Sequence, residues 1–118
     1  MPKSKYRNIK DYRILNGTKV VFDSRKEARR YDALLFELKH GKISEFTIQP
    51  YYLLCDTIKH EGKTYPKVSY SPDFRYIRNG KTIVEDVKSD ATAKDKTYRV
   101  KVKWFLHLYG KDIIFKEI

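Results

Sequence analysis

The sequence predicts an α/β or α+β domain with one mixed sheet and two principal helices, on three observations. Two Asn-Gly dipeptides, Asn16-Gly17 and Asn79-Gly80, each stand between β-prone runs, the strongest short-range signal for a hairpin. Two segments, beginning near Asp23 and Thr97, repeat apolar residues at helical spacing and stop at Gly41 and Gly110. Further β-prone stretches complete the order β-β-α-β-β-β-α-β.

Each element follows from local chemistry. "YRIL-NG-TKVVF" is a hairpin because a type I′ turn needs positive φ at both central residues. Asp23 or Ser24 opens the first helix, which buries Ala28, Tyr31, Leu34, Leu35 and Leu38. Residues 43–58 read as one β-rich stretch, with Pro50 implying an edge position or a bulge. "KHEGKTYPK" reads as a polar loop, and residues 68–88 as the second Asn-Gly hairpin. "SDATAKDK" is a polar connector before a helix from Thr97 to Tyr109, whose apolar line is Tyr98, Val102, Phe105, Leu106 and Tyr109. "KDIIFKEI" forms a closing strand.

The totals narrow the function. At 118 residues the chain has room for one core. We divide it into a basic N-terminal arm, 1–13, carrying Lys3, Lys5, Arg7, Lys10 and Arg13, and a single domain, 14–118. The net charge is +11, from 26 Lys and Arg against 15 Asp and Glu, which favours polyanions, nucleic acid first and an anionic membrane second. No apolar run reaches the length of a membrane span, and "MPKSKYRNIK" lacks the apolar core of a signal peptide. Cys55 is the single cysteine, which excludes an internal disulfide and a Cys-based zinc site. A cytoplasmic location is expected, with no membrane partner.

The second hairpin holds the chemistry. A two-residue loop at Asn79-Gly80 fixes its register: Arg78 faces Lys81, Phe74 faces Glu85, and Asp73 faces Asp86. Strand alternation then collects Asp73, Asp86 and Lys88 on one side of the sheet and sends Glu85 to the other with Phe74, Tyr76, Ile83 and Val87. Two carboxylates directly opposite repel each other unless a cation lies between them. A hard divalent ion such as Mg²⁺ suits such a pair together with a substrate phosphate. Lys88 stands on the same side, able to hold a water or stabilise charge on a phosphate in flight. The pattern points to phosphodiester hydrolysis.

Pro72-Asp73, followed by Asp86-Val87-Lys88, resembles the PD-(D/E)XK nuclease superfamily. "VVFDSRKEARRY", "IQPYYLL", "PDFRY" and "VEDVKS" together resemble a small phage and prophage family, long described only as a domain of unknown function and assigned to that superfamily. The similarity runs from about Lys19 to Tyr109. It implies a restriction-endonuclease-like core and a metal-dependent DNA endonuclease using Mg²⁺ or Mn²⁺. It also implies branched or recombination-intermediate DNA as substrate, and it is compatible with a homodimer.

The resemblance assigns Asp73 and Asp86 as metal ligands and Lys88 as the residue that positions or activates water. It adds Glu27 of the first helix as a further ligand, although Ser24-Arg25-Lys26-Glu27 also fits a capping box. Gln49 matches a Gln found near such sites and equally suits a loop hydrogen bond. The second motif acid is Asp rather than the commoner Glu, and Glu85 beside it becomes the ligand if the strand is bulged.

Arg25, Lys26 and Arg30 on the first helix, with Arg99, Lys101 and Lys103 on the second, are candidates to track DNA phosphates. The resemblance sets Lys101 near the site. Tyr98, Trp104 and the pair Tyr51-Tyr52 suit the core better than base stacking. His40, His60 and His107 lack metal-ligand spacing. Two other classes stay open: a non-catalytic nucleic-acid-binding module on the same fold, and a host-takeover factor that uses its basic surface on an acidic protein.

Overall fold

The computed structural model describes residues 10–118. Lys3, Lys5 and Arg7 of the basic arm lie outside the described residues. Two compact units divide at Ile43 and Ser44.

In the first unit, β1 (Asp11–Leu15) and β2 (Thr18–Phe22) form the N-terminal hairpin, so the first strand takes in the last residues of the basic stretch. Asn16 and Gly17 carry φ of 51° and 79°, the positive pair that a type I′ turn requires. The helix α1 (Arg25–Lys39) follows. Ser24 caps it: the Ser24 Oγ accepts the Glu27 N–H at 3.1 Å. Its far end closes on Gly41 at φ 71°, with Gly41 N–H bonded to the Leu38 carbonyl and Lys42 N–H to the Glu37 carbonyl. This double closure satisfies carbonyls that the helix itself cannot. Tyr31 of α1 packs 5.1 Å from Phe22 of β2, with Ala28 and Leu34 also buried. Ser24→Ala should cost about 1 kcal/mol. A urea melt checks it, and an unchanged midpoint would remove the cap from the account.

The second unit holds β3 (Ser44–Ile48), β4 (Tyr52–Cys55), β5 (Ile58–His60), β6 (Lys63–Tyr65), β7 (Val68–Tyr70), β8 (Phe74–Arg78) and β9 (Lys81–Asp86). After them come α2 (Asp90–Ala93), α3 (Lys96–Tyr109), a 3₁₀ turn at Gly110–Asp112 and β10 (Ile113–Glu117). The main sheet runs β10-β9-β8-β3. β10 lies parallel to β9, while β8 is antiparallel to both neighbours, so the sheet is mixed and the chain is α+β.

Four expectations change here. The stretch 43–58 is not one strand: Gln49 turns at φ 51° and Pro50 ends β3, which is an edge strand with a bulge between Ser44 and Thr47. "KHEGKTYPK" is not simply a loop, since β5 and β6 pair across a Glu61-Gly62 turn with φ of 49° and 80°. Val68–Tyr70 leaves the second hairpin and pairs with β4 instead. The polar connector contains the one-turn α2, capped by Ser89. The β4–β7 and β5–β6 pairs and α2 give partners to backbone polar groups that would otherwise need others.

The core of this unit gathers Leu54, Tyr70, Val84 and Phe105, with Val102, Trp104, Ile113 and Phe115 against them. Phe105 of α3 touches the rings of Tyr52, Tyr70, Tyr109 and Phe115 at 4.7–6.0 Å. α3 thus packs on the sheet side that bears Val84, the side expected to hold Asp73 and Asp86.

Candidate active site

The β8–β9 ladder has the register expected from the turn, from Arg78 opposite Lys81 to Phe74 opposite Glu85. Asn79 and Gly80 take φ of 52° and 77°. Beyond Phe74 the ladder opens. The Asp73 N–H bonds to the Glu85 carbonyl at 3.1 Å, while the Asp73 Oδ2 accepts the Val87 N–H at 2.7 Å. A side chain replaces a backbone acceptor and pins the Asp73 carboxylate at the fork between strands. The Asp73 carbonyl in turn accepts the Gln49 N–H at 2.8 Å. Gln49 is therefore tied to the site through its main chain, and the residue itself is exposed.

Asp86 is 1% exposed and Asp73 8%. The Tyr70 hydroxyl donates to Asp86 Oδ2. Asp86 Oδ1 is buried without a hydrogen-bond partner, with the Lys88 ammonium 3.2 Å away as an ion pair. Burial first, and the neighbouring Asp73 carboxylate second, push Asp86 up to about 7. Tyr70 and Lys88 pull it the other way. Lys88 also lies over the Tyr98 ring at 5.3 Å, and Tyr98 donates its hydroxyl to Glu117 at 2.6 Å. Burial and the adjoining Asp86 charge raise the Tyr70 hydroxyl well above its ordinary value, so it stays a donor.

Glu85 points the other way, as the alternation required. It is wholly buried, and the Tyr76 hydroxyl donates to its Oε2. Glu27 is also buried and belongs to the first unit, with its N–H engaged by the cap. Among the described residues, no three His, Cys, Asp or Glu side chains gather as a metal-binding group.

The donors fit a hard cation. Asp73 and Asp86 each commit one oxygen to the fold, at Val87 and Tyr70 respectively. Asp86 Oδ1 is a buried charge-bearing atom that accepts no hydrogen bond. An all-oxygen pair of this kind suits Mg²⁺ or Mn²⁺ rather than a thiophilic metal.

The basic candidates separate. Arg25 and Lys26 are exposed on the first turn of α1, and Arg30 is half-buried one turn on. On α3, Arg99 and Lys103 line a groove with Tyr98, the ring that carries Lys88. Lys101 lines a different groove, with Val68 and Trp104. Of the aromatics assigned to the core, Tyr52, Tyr98 and Trp104 are half-buried, but Tyr51 is 55% exposed beneath Lys67.

Sequence reading missed Tyr70 and gave Arg75 no role. Tyr70 reaches Asp86 only because β7 pairs with β4, a long-range event with no local signal. Strand alternation already puts Arg75 on the side of Asp73, two residues further along, but nothing local marks its partner.

The model of one family, described as Protein of unknown function (DUF1064), matches residues 3–115. The chain belongs to the DUF1064 family. No curated protein matches it. The DUF1064 description names no activity.

Proposed function

We propose that the chain is a Mg²⁺- or Mn²⁺-dependent DNA endonuclease of the PD-(D/E)XK type, hydrolysing phosphodiester bonds. The observation that carries the reading is the buried pair Asp73 and Asp86 with Lys88 beside it and Asp86 Oδ1 unsatisfied. Asp73 and Asp86 would hold the cation. A bound divalent ion would neutralise the pair and polarise a phosphate oxygen. Tyr70 fixes which Asp86 oxygen is offered, and Val87 N–H does the same for Asp73. Lys88 lies over the Tyr98 ring and pairs with Asp86, so its ammonium is aimed rather than free to roam. It would orient water or stabilise charge on the phosphate. The net charge of +11 supplies attraction for a nucleic-acid strand. Branched DNA is the substrate class that the resemblance favours.

A cleavage panel of single-stranded, linear, flapped and four-way DNA with Mg²⁺ or Mn²⁺ tests this directly. Metal-dependent cutting of any of these, with a rise in Tm on adding metal, is expected. Binding without cutting, together with a Tm unmoved by either ion, would favour the second reading, a non-catalytic binding module. One observation speaks for that reading: the Lys88 ammonium already offsets the charge of Asp86 as an ion pair, without a cation.

Tyr70→Phe should weaken metal affinity by about 10–100-fold, the usual loss when a ligand's orienting partner is removed. Titration of Tm against Mn²⁺ checks it. Equal affinity in the two proteins would show that Tyr70 is merely packed there.

A further inference from the structure

We infer that Arg75 and the cleft around it form a phosphate subsite, one step along the sheet from the Asp73–Asp86 pair, which takes a neighbouring phosphate of a nucleic-acid strand. The inference rests on the nuclease reading and extends it to substrate placement.

Arg75 follows Asp73 by two residues, faces Val84 across the ladder and lies beside Thr47 of β3. Two strand residues advance about 6.6–6.8 Å. That step is comparable with the separation of successive phosphates along a nucleic-acid strand. The guanidinium donates through Nη1 to the Tyr52 hydroxyl at 3.0 Å and lies 5.7 Å from the centre of the Tyr52 ring. That uses one of its five N–H donors. No carboxylate among the described residues pairs with Arg75.

The side chain is half-buried in the wall of an open cleft of about 590 Å³, lined also by Thr47, Tyr52, Thr82 and Glu45. A partly desolvated guanidinium without a counter-ion is costly, and an incoming anion removes the cost. The hydroxyls of Tyr52, Thr47 and Thr82 supply further groups of the kind that bind phosphate oxygens. Glu45 is exposed, and its charge sets a limit on how tightly a free anion binds there. A phosphate held in a strand, with its neighbour at the carboxylate pair, does not depend on that local affinity alone.

The test compares wild type, Arg75→Gln and Arg75→Lys binding a short single-stranded oligodeoxynucleotide in EDTA across a salt series. Arg75→Gln should bind several-fold more weakly, and its slope of log K against log salt should shrink by about 0.7. In cleavage it should raise KM more than it lowers kcat, and the metal-induced rise in Tm should persist. Arg75→Lys should keep the slope with weaker affinity, because it keeps the charge and loses the fork. It also carries the test if the Gln variant does not fold.

Equal affinity and slope for wild type and Arg75→Gln would overturn the subsite while leaving the nuclease reading intact. A lower Tm with an unchanged slope would make Arg75 structural and overturn it equally. Wild type that shows no salt-dependent binding would instead sink the nuclease reading, and the subsite with it.

Discussion

Asp86→Asn is expected to abolish metal-dependent cleavage and yet to stabilise the metal-free protein at neutral and alkaline pH. Loss of activity should be at least about a hundredfold, since even an orienting partner of a ligand is worth 10–100-fold. The stability gain follows from the raised pKa. Folded Asp86 holds its proton up to about pH 7, whereas an unfolded Asp releases it near 3.9. The native state therefore binds more protons between those values, and stability falls as pH rises from about 4 to about 7.

At pH 4 wild type and Asp86→Asn should melt nearly together, because both present a neutral group to Tyr70. By pH 8 the Asn variant should melt several degrees higher. Mg²⁺ or Mn²⁺ should raise Tm in wild type alone, and more strongly as pH passes 7, where the ion no longer competes with a proton. Parallel melting curves across pH would contradict the buried, mutually repelling pair. An active Asn variant would contradict the ligand assignment.

Lys88→Ala against Glu85→Gln gives the second large contrast. Lys88 stands 3.2 Å from Asp86 Oδ1 and 26% of its side chain is exposed, so it can reach a bound phosphate or water. Its loss should lower kcat by roughly 10²–10³, the scale seen on removing one electrostatic stabiliser. Binding of DNA in EDTA should change far less. Glu85→Gln should leave cleavage within a few-fold of wild type and lower Tm, because Glu85 is wholly buried on the opposite side and bonded by Tyr76. Single-turnover cleavage and melting of both variants decide it. A dead Glu85→Gln beside a fully active Lys88→Ala would mean that the site lies on the other side of the sheet.

Much of the site was legible because it hangs on a two-residue turn. Asn79-Gly80 can adopt two positive φ angles at little cost, which fixes the pairing of every residue between Phe74 and Glu85. Alternation then separates Asp86 from Glu85, although the two are adjacent in sequence. Ser24 and Gly41 marked the ends of α1 for a similar reason, since both act on backbone groups within a few residues. The β5–β6 hairpin escaped notice because its turn uses Glu61, a residue seldom found at positive φ. Pro50 signalled a disturbance in the stretch 43–58, but the positive φ of Gln49 that divides it has no counterpart in the turn chemistry of Gly, Asn or Asp.

The sequence by itself determined what short-range stereochemistry can determine: the hairpin register, the helix ends, and the placement of Asp73, Asp86 and Lys88 on one side of a sheet. Tertiary structure alone decided the partners of those groups. Tyr70 comes to Asp86 through the β4–β7 pairing, and Arg75 to Tyr52 across more than twenty residues. Burial, too, is a property of everything packed around a residue. That is why the carboxylate pair could be read from the chain, while the raised pKa of Asp86 and its one unsatisfied oxygen could not.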